Sequence, residues 1–208
     1  MKEKILAKAT EMFLNAGFKN VTMDDVANNM KVSVKIITSH FENKTELVEA
    51  SAMLLFNLIK DGIQQIRSQE KEAIEELFEI KNLMLVSLKN QKSSPQYQLQ
   101  QYYPIIHKKL VGKQFEVLHE CLVHNVTRGI KNNTYRKDIA PEFASRIYFS
   151  GLANIKDKSI FPVDEFPMTT LMSSHLEHFI GGLVTPKGRE ILDATINSNK
   201  NSTKEVVI

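Results

Sequence analysis

Residues Met168, Leu171, Met172, His175, Leu176, Phe179 and Ile180 fall at offsets 0, 3, 4, 7, 8, 11 and 12. Only a repeat near 3.6 residues places all seven on one stripe, because alternation along a strand would divide them between two faces. The same period recurs along the chain. It runs through Ile5, Ala9, Met12, Phe13 and Ala16, then Leu47, Leu54, Leu55, Leu58, Ile59, Ile63 and Ile66. It returns in Ile74, Leu77, Phe78, Met84, Leu85 and Leu88, in Phe115, Leu118 and Leu122, and in Phe143, Ile147, Tyr148 and Gly151. Eight glycines and six prolines in 208 residues are too few to punctuate an all-β chain of this length. No strand pattern or internal repeat stands out, so the fold class expected is all-α.

Local signals divide these stripes into helices. Gly17 stands where a left-handed C-cap ends the first helix. Thr22 with Asp25 three places on reads as a capping box for a second helix ending at Met30. Lys31-Val32 forms a break, and Ser33 caps a short third helix from Val34 to His40, whose β-branched content leaves it dependent on packing. Asn43 with Glu46 opens a long fourth helix to about Gln69. Residues 91–94 read as a connection, with Pro95 at the first position of the next helix. Tyr103-Pro104 interrupts again, Lys131-Asn132-Asn133 forms a loop, and Pro141 opens the next helix. Residues 154–166 read as a loop before the helix begun by Pro167. Gly181-Gly182 should stop that helix, and Thr185-Pro186 should cap a last one over residues 187–197, followed by a frayed polar tail.

Composition restricts the setting. A single cysteine, Cys121, cannot form an intrachain disulfide, which suits a reducing cytoplasm. Glu3 and Glu11 interrupt the N-terminal apolar stretch, and no run approaches the roughly 18 apolar residues of a membrane span. The expectation is a cytoplasmic protein with no membrane partner. Net charge is +3, so the whole-molecule field does not announce a polyanion partner.

Three short helices within the first 41 residues, the second and third separated by a tight turn, have the layout of a helix-turn-helix. With Ile37 and Phe41 inward and Ile36 nearby, Val34, Lys35, Thr38 and Ser39 fall on the outer side, where they suit a major groove. Lys35 could donate to guanine, and the Val34 and Thr38 methyls could meet a thymine methyl. Thr22 and Ser33 place hydroxyls where a phosphate could dock, and Lys44 begins the fourth helix. Residues 1–47 hold seven lysines against six acids, so asymmetry rather than net charge favours DNA.

The ordered set Ile5-Leu6-x-x-Ala9-x-x-x-Phe13-x-x-x-Gly17-Phe18, Val21-Thr22-Met23-x-x-Val26-Ala27 and Val32-Ser33-x-Lys35-x-Ile37-x-x-His40-Phe41-x-Asn43-Lys44-x-x-Leu47 resembles the TetR repressors. That resemblance implies a DNA-binding domain at residues 1–47 and a helical ligand-binding and dimerisation domain at residues 48–208. It further implies a homodimer on a palindromic double-stranded DNA operator, released by a small-molecule effector. The DNA-contacting positions it implies are Thr22, Met23, Ser33, Val34, Lys35, Thr38, Ser39, His40 and Lys44. Within that set His40 takes the aromatic position beside the DNA backbone, and Lys44 that of the phosphate-contacting lysine. Lys35, Ile36 and Thr38 replace the family's common Gly, Thr and Tyr, and Thr38 has the shorter reach. Residues 182–188, Gly-Leu-Val-Thr-Pro-Lys-Gly, resemble a C-terminal feature of some bacterial members.

Other candidates lie downstream. Tyr97, Tyr102, Tyr103 and His107 bracket Pro104, and polar-tipped aromatics around a helix break suit a ligand pocket of the kind the resemblance implies. Ile147, Gly151, Leu171, Met172, His175 and Phe179 are the expected dimer interface, with burial inside one chain as the competing reading. His119-Glu120 with His124 approximates a zinc-protease pattern, but five residues separate the imidazoles, about 140° around a helix. Their ordinary reading, like that of Cys121 and of the His175/His178 pair, is packing and surface, so no catalytic residue, metal or cofactor is expected. The alternative to a regulator is a small-molecule sensor with a degenerate DNA-binding head.

Overall fold

The computed structural model describes residues 1–89, 95–157, 159–162 and 164–204, with side chains at all of these except 87–89, 95–96 and 200–204. The expected connection at 91–94, Lys158 and Val163 of the loop at 154–166, and the tail at 205–208 lie outside the described residues. The described chain is all-α, as expected. Its helices are α1 (Lys2–Ala16), α2 (Met23–Met30), α3 (Val34–Thr38), α4 (Lys44–Arg67), α5 (Ala73–Lys89), α6 (Pro95–Tyr102), α7 (Pro104–Lys131), α8 (Pro141–Asn154), α9 (Met168–Leu183) and α10 (Pro186–Lys204). They pack as two compact units. The first, the head unit, comprises residues 1–62 and 86–114, and the second residues 63–85 and 115–208. Packing thus places residues 48–62 and 86–114 with the N-terminal helices, whereas the expected functional boundary falls after residue 47.

In the head unit α1 buries Ile5, Ala9 and Phe13, and the Phe13 and Phe18 rings meet at 5.0 Å between centroids. Gly17 has φ 89° and ψ 154°, a positive φ but not the left-handed helical cap anticipated. Thr22 completes the expected capping box, taking a hydrogen bond from the Asp25 amide while the Asp25 carboxylate takes the Thr22 amide. Lys31, at φ 56° and ψ 41°, closes α2 in the left-handed region. Helix α3 ends at Thr38, two residues short of expectation. Its turn continues because His40 and Phe41 both donate from their amides to the Ile37 carbonyl. Ile37 is 0 % exposed and Phe41 1 %. Burial of two such side chains, worth about 1.5–3 kcal/mol each, holds a helix too short and too β-branched to persist alone. Asn43 caps α4 by accepting from the Glu46 amide at 3.0 Å. Leu99 of α6 and Ile106 and Leu110 of α7 belong to the same apolar cluster as Ile5, Phe13 and Ile37.

In the second unit α9 packs on α8 and α10. The turn after α7 docks on the turn after α9: Arg136 donates to the Leu183 carbonyl at 2.9 Å, Thr185 donates to that of Thr134 at 3.0 Å, and Tyr135 and Val184 form an isolated antiparallel bridge. Contrary to expectation α9 runs through Gly181 and Gly182 to Leu183, where Arg189 donates to the Gly181 carbonyl at 3.0 Å. A glycine pair weakens a helix but does not end one whose final carbonyls find donors. Helix α10 likewise outruns its expected end at residue 197 and reaches Lys204, with Asn199 bonded to Asn82 and to the Thr195 carbonyl.

Candidate nucleic-acid interface

Helix α3 turns one apolar residue inward and its polar residues outward. Lys35, Thr38 and Ser39 are exposed, while Val34 and Ile36 are half-buried against the head core. The Thr38 and Ser39 hydroxyls donate back to the Lys35 and Ile36 carbonyls at 3.2 and 2.8 Å, so their lone pairs are what they can offer a base-edge donor or a bridging water. Ser33 is exposed and makes no side-chain cap bond, and His40 is half-buried at the end of the turn.

Two expected phosphate contacts are already engaged. The Thr22 hydroxyl accepts from the Asp25 amide and donates to the Asp25 carboxylate at 2.6 Å. Those bonds from the Thr22 side chain and backbone hold the Asp25 carboxyl below its usual range, so a negative charge occupies the α2 N-terminus. The Lys44 Nζ donates to the Lys19 carbonyl at 2.8 Å, and its burial lowers the pKa against the opposing pull of Asp25. Met23 is half-buried in the head core. Sequence reading overlooked Lys2, whose Nζ stands 5.2 Å from the Phe41 ring centroid beside the end of the α3 turn. A cation at the first position of α1 gives no periodic signal that could have singled it out.

The model of bacterial regulatory proteins of the tetR family matches residues 5–51, which take in every residue of this constellation except Lys2. The biofilm operon icaADBC HTH-type negative transcriptional regulator IcaR of Staphylococcus aureus (strain Newman) is 25% identical over 79 residues, 38% of this chain and 42% of that protein. Its Staphylococcus epidermidis counterpart is 30% identical over 61 residues, 29% of this chain and 33% of that protein. The chain therefore spans about two fifths of the length of the first of these relatives. A transcriptional regulator from Cytophaga hutchinsonii shares the fold at TM-score 0.74 and 16% identity, over 88% of this chain and 98% of that one. SmeT, the repressor of the Stenotrophomonas maltophilia multidrug efflux pump SmeDEF, does so at 0.65 and 13%, over 89% and 91%. The match to the tetR family covers residues 5–51, and over the rest of the chain the likeness to these structures is one of fold alone. These relatives are named as regulators, not enzymes.

The residues expected at a ligand pocket and at a dimer interface have these surroundings within the single chain. Tyr102 is half-exposed, with the Lys19 Nζ 4.9 Å from its ring centroid. Tyr103 packs against the head core, and burial raises its pKa. Both have packing roles, while Tyr97 is exposed and His107 half-buried. Leu171 and Met172 are 8 % and 2 % exposed within a single chain, so little of either is left for a second copy to cover. The His175 imidazole lies over Gly151, bonds the Tyr148 carbonyl at 2.9 Å and stacks on the Tyr148 ring. Phe179 leans on that ring at 4.8 Å. Spacing alone could not tell α8–α9 packing from dimer packing. Ile147 stays 52 % exposed, as does the unpredicted Phe143 one turn earlier at 66 %.

His119 and His124 go separate ways. The His119 ring meets the Ser145 hydroxyl at 2.7 Å and the Glu142 carboxylate at 3.1 Å, while Glu120 pairs with Arg67. His124 lines a cleft of about 390 Å³ with Arg67, Glu70, Lys71, Glu72, Arg128, Lys131 and Asn132. Cations and carboxylates pair around that cleft, Arg67 with Glu120, Lys71 with Glu79 and Arg128 with Glu76, which leaves little field to attract a polyanion. Among the described residues no group of three or more His, Cys, Asp or Glu could hold a metal ion, and no helix is long and apolar enough to cross a membrane.

Proposed function

We propose that this chain is a cytoplasmic, DNA-binding transcriptional repressor that reads a palindromic operator as a homodimer and is released by a small-molecule effector. The observation that carries the reading is α3 itself. Its inner residue Ile37 is fully buried, its outer residues Lys35, Thr38 and Ser39 are exposed, and it lies inside the segment matched to the family. In the proposed complex Lys35 donates to guanine O6 or N7, and the Ser33, Thr38 and Ser39 oxygens accept from base edges or bridging water. Lys44 serves from its partly buried post with the donors that Lys19 leaves unused. Residues 1–47 are the proposed DNA-binding segment and residues 48–208 the proposed effector and dimer segment, with Ile147 and Phe143 facing the second copy and Tyr97 and His107 nearest the effector.

The mechanism proposed is population shift. Two recognition helices bind one duplex only when spaced by about one DNA turn, or a multiple of it. An effector that prefers another spacing weakens DNA binding by its differential affinity and no more. Helices α4, α5 and α7 each contribute residues to both packing units, which gives the signal a covalent route.

Selection of bound fragments from the source genome, followed by gel shifts across a salt series, tests the reading. Recovery of a palindrome with strongly salt-dependent binding supports it. A purified chain that retains no fragment at low salt overturns it in favour of a sensor with a degenerate head. That second reading draws on the engagement of Thr22 and Lys44 inside the protein.

A further inference from the structure

Three groups converge on Lys19, in the turn between α1 and α2. Its amide donates to Gln98 Oε1 of α6 at 3.1 Å, its carbonyl accepts from Lys44 Nζ of α4 at 2.8 Å, and its ammonium lies over the Tyr102 ring of α6. The Gln98 amide also covers Gly17. A β-carbon built on Gly17 would stand 2.3 Å from Gln98 Nε2, and Gly17 holds a positive φ that a side chain would oppose. Neighbouring Leu99 is buried in the head core, so α6 is seated there by apolar packing and Gln98 adds direction. Three residues beyond Lys19 the chain reaches Thr22, the α2 cap, and α2 packs on α3. The path of this turn therefore sets where α2 begins and how the α2–α3 pair is carried.

We propose that Gln98 is a positioning residue for DNA binding. Through the Lys19 amide and the space above Gly17 it latches the α1–α2 turn to α6, and it sets the attitude of the reading helix within one head independently of the spacing between two heads. The proposal rests on the DNA-binding reading above. A displacement of α6 that withdraws Gln98 leaves the Lys19 amide to water and Gly17 uncovered, and loosens the turn without unfolding α2, whose capping box is local.

The test measures Lys19 amide exchange by NMR, and affinity for the fragment recovered by selection, in the full chain carrying Gln98→Ala, Gln98→Leu or Gln98→Glu. The Leu variant keeps the cover and loses the acceptor, so it serves if the Ala variant fails to fold, whereas the Glu variant keeps the acceptor oxygen. Loss of one hydrogen bond predicts faster Lys19 exchange and DNA affinity about five- to tenfold weaker for Ala and Leu, with Glu restoring both. The helix content of the whole chain by circular dichroism, and the amide exchange of the α2 residues in the same NMR experiment, should stay unchanged. Unaltered Lys19 exchange in Gln98→Ala overturns the latch, and altered exchange with wild-type affinity overturns the positioning role alone. A wild-type chain that binds no DNA overturns the functional reading, and the positioning role with it.

Discussion

The Gly188 α-carbon stands so close to Thr134 that a β-carbon built there would lie 2.1 Å from the Thr134 carbonyl oxygen. The obstacle is backbone, and that carbonyl already accepts from the Thr185 amide at 3.0 Å, so it cannot yield without breaking the junction of the two turns. Gly188→Ala is expected to destabilise the second unit by about 2–4 kcal/mol. Gly112→Ala is the control: in α7 nothing lies within 4 Å of the added carbon, so helix propensity predicts a gain of up to about 1 kcal/mol. Urea denaturation of both variants checks the pair, and equal midpoints would remove the steric account.

Glu76 is fully buried, and each of its two carboxylate oxygens has a donor. Arg128 Nη2 meets one carboxylate oxygen at 2.6 Å, and Asn125 Nδ2 donates to the other at 2.8 Å and to the Ala73 carbonyl at 2.9 Å. The buried Tyr135 hydroxyl reaches Asn125 Oδ1 at 3.3 Å, and burial pushes that phenol well above its usual pKa, so it stays protonated and donates. Truncating one partner strands a buried charge, so Arg128→Ala should cost about 3–5 kcal/mol. The double change Glu76→Gln with Arg128→Met removes both charges and should cost less than Arg128→Ala alone. Calorimetry of the two variants decides, and a double variant less stable than the single one would contradict the account.

Lys81 is 6 % exposed, with its Nζ 4.9 Å from the Phe78 ring centroid and 3.4 Å from the Ser173 hydroxyl. Burial lowers its pKa, opposed by the charge of Glu177. The unfolded chain therefore binds the Lys81 proton more tightly. The destabilisation is fully present below the folded pKa and fades as pH rises to the ordinary value of 10.5. Lys81→Met should raise the melting temperature at pH 7, by about 2–4 °C for each kcal/mol recovered, with the advantage shrinking towards pH 10.5. A Tm difference that grows with alkalinity would reverse the assignment.

Burial pushes the Cys121 thiol up to about 12, with Arg67 and Arg128 too weak to compensate. The nucleophile is the thiolate, so at pH 8 the native thiol should resist iodoacetamide and react at the rate of global opening. Mass spectrometry of native and urea-unfolded samples reads this directly. Rapid labelling of the native chain would mean that Cys121 is not enclosed.

Much of this was legible in the sequence because it is periodic or local. Ile37 and Phe41 lie one turn apart, so the inner face of α3 follows from spacing, and the Thr22–Asp25 box spans three residues. What was not legible joins distant positions. Nothing around Lys44 announces that its ammonium reaches the Lys19 carbonyl, 25 residues away, or that Gln98 would cover Gly17. Leu171 and Met172 show why a stripe cannot name its partner: the spacing that packs α9 on α8 is the spacing a second copy would need, and only burial within one chain separates the two readings.

Lys35 and Lys44 differ in what each already does, which separates base reading from backbone contact. Lys35 is exposed on the outer face of α3, so Lys35→Ala should cost about 1–3 kcal/mol at the selected site, relax base preference there and leave the melting temperature unchanged. Lys44 props the Lys19 carbonyl, so Lys44→Ala should weaken selected and random DNA alike, flatten the salt slope by about 1 and also lower the melting temperature. Gel shifts at several salt concentrations on both DNAs, with a thermal melt of each variant, measure all of these. Equal losses on both DNAs for Lys35→Ala would move that lysine from the bases to the phosphates.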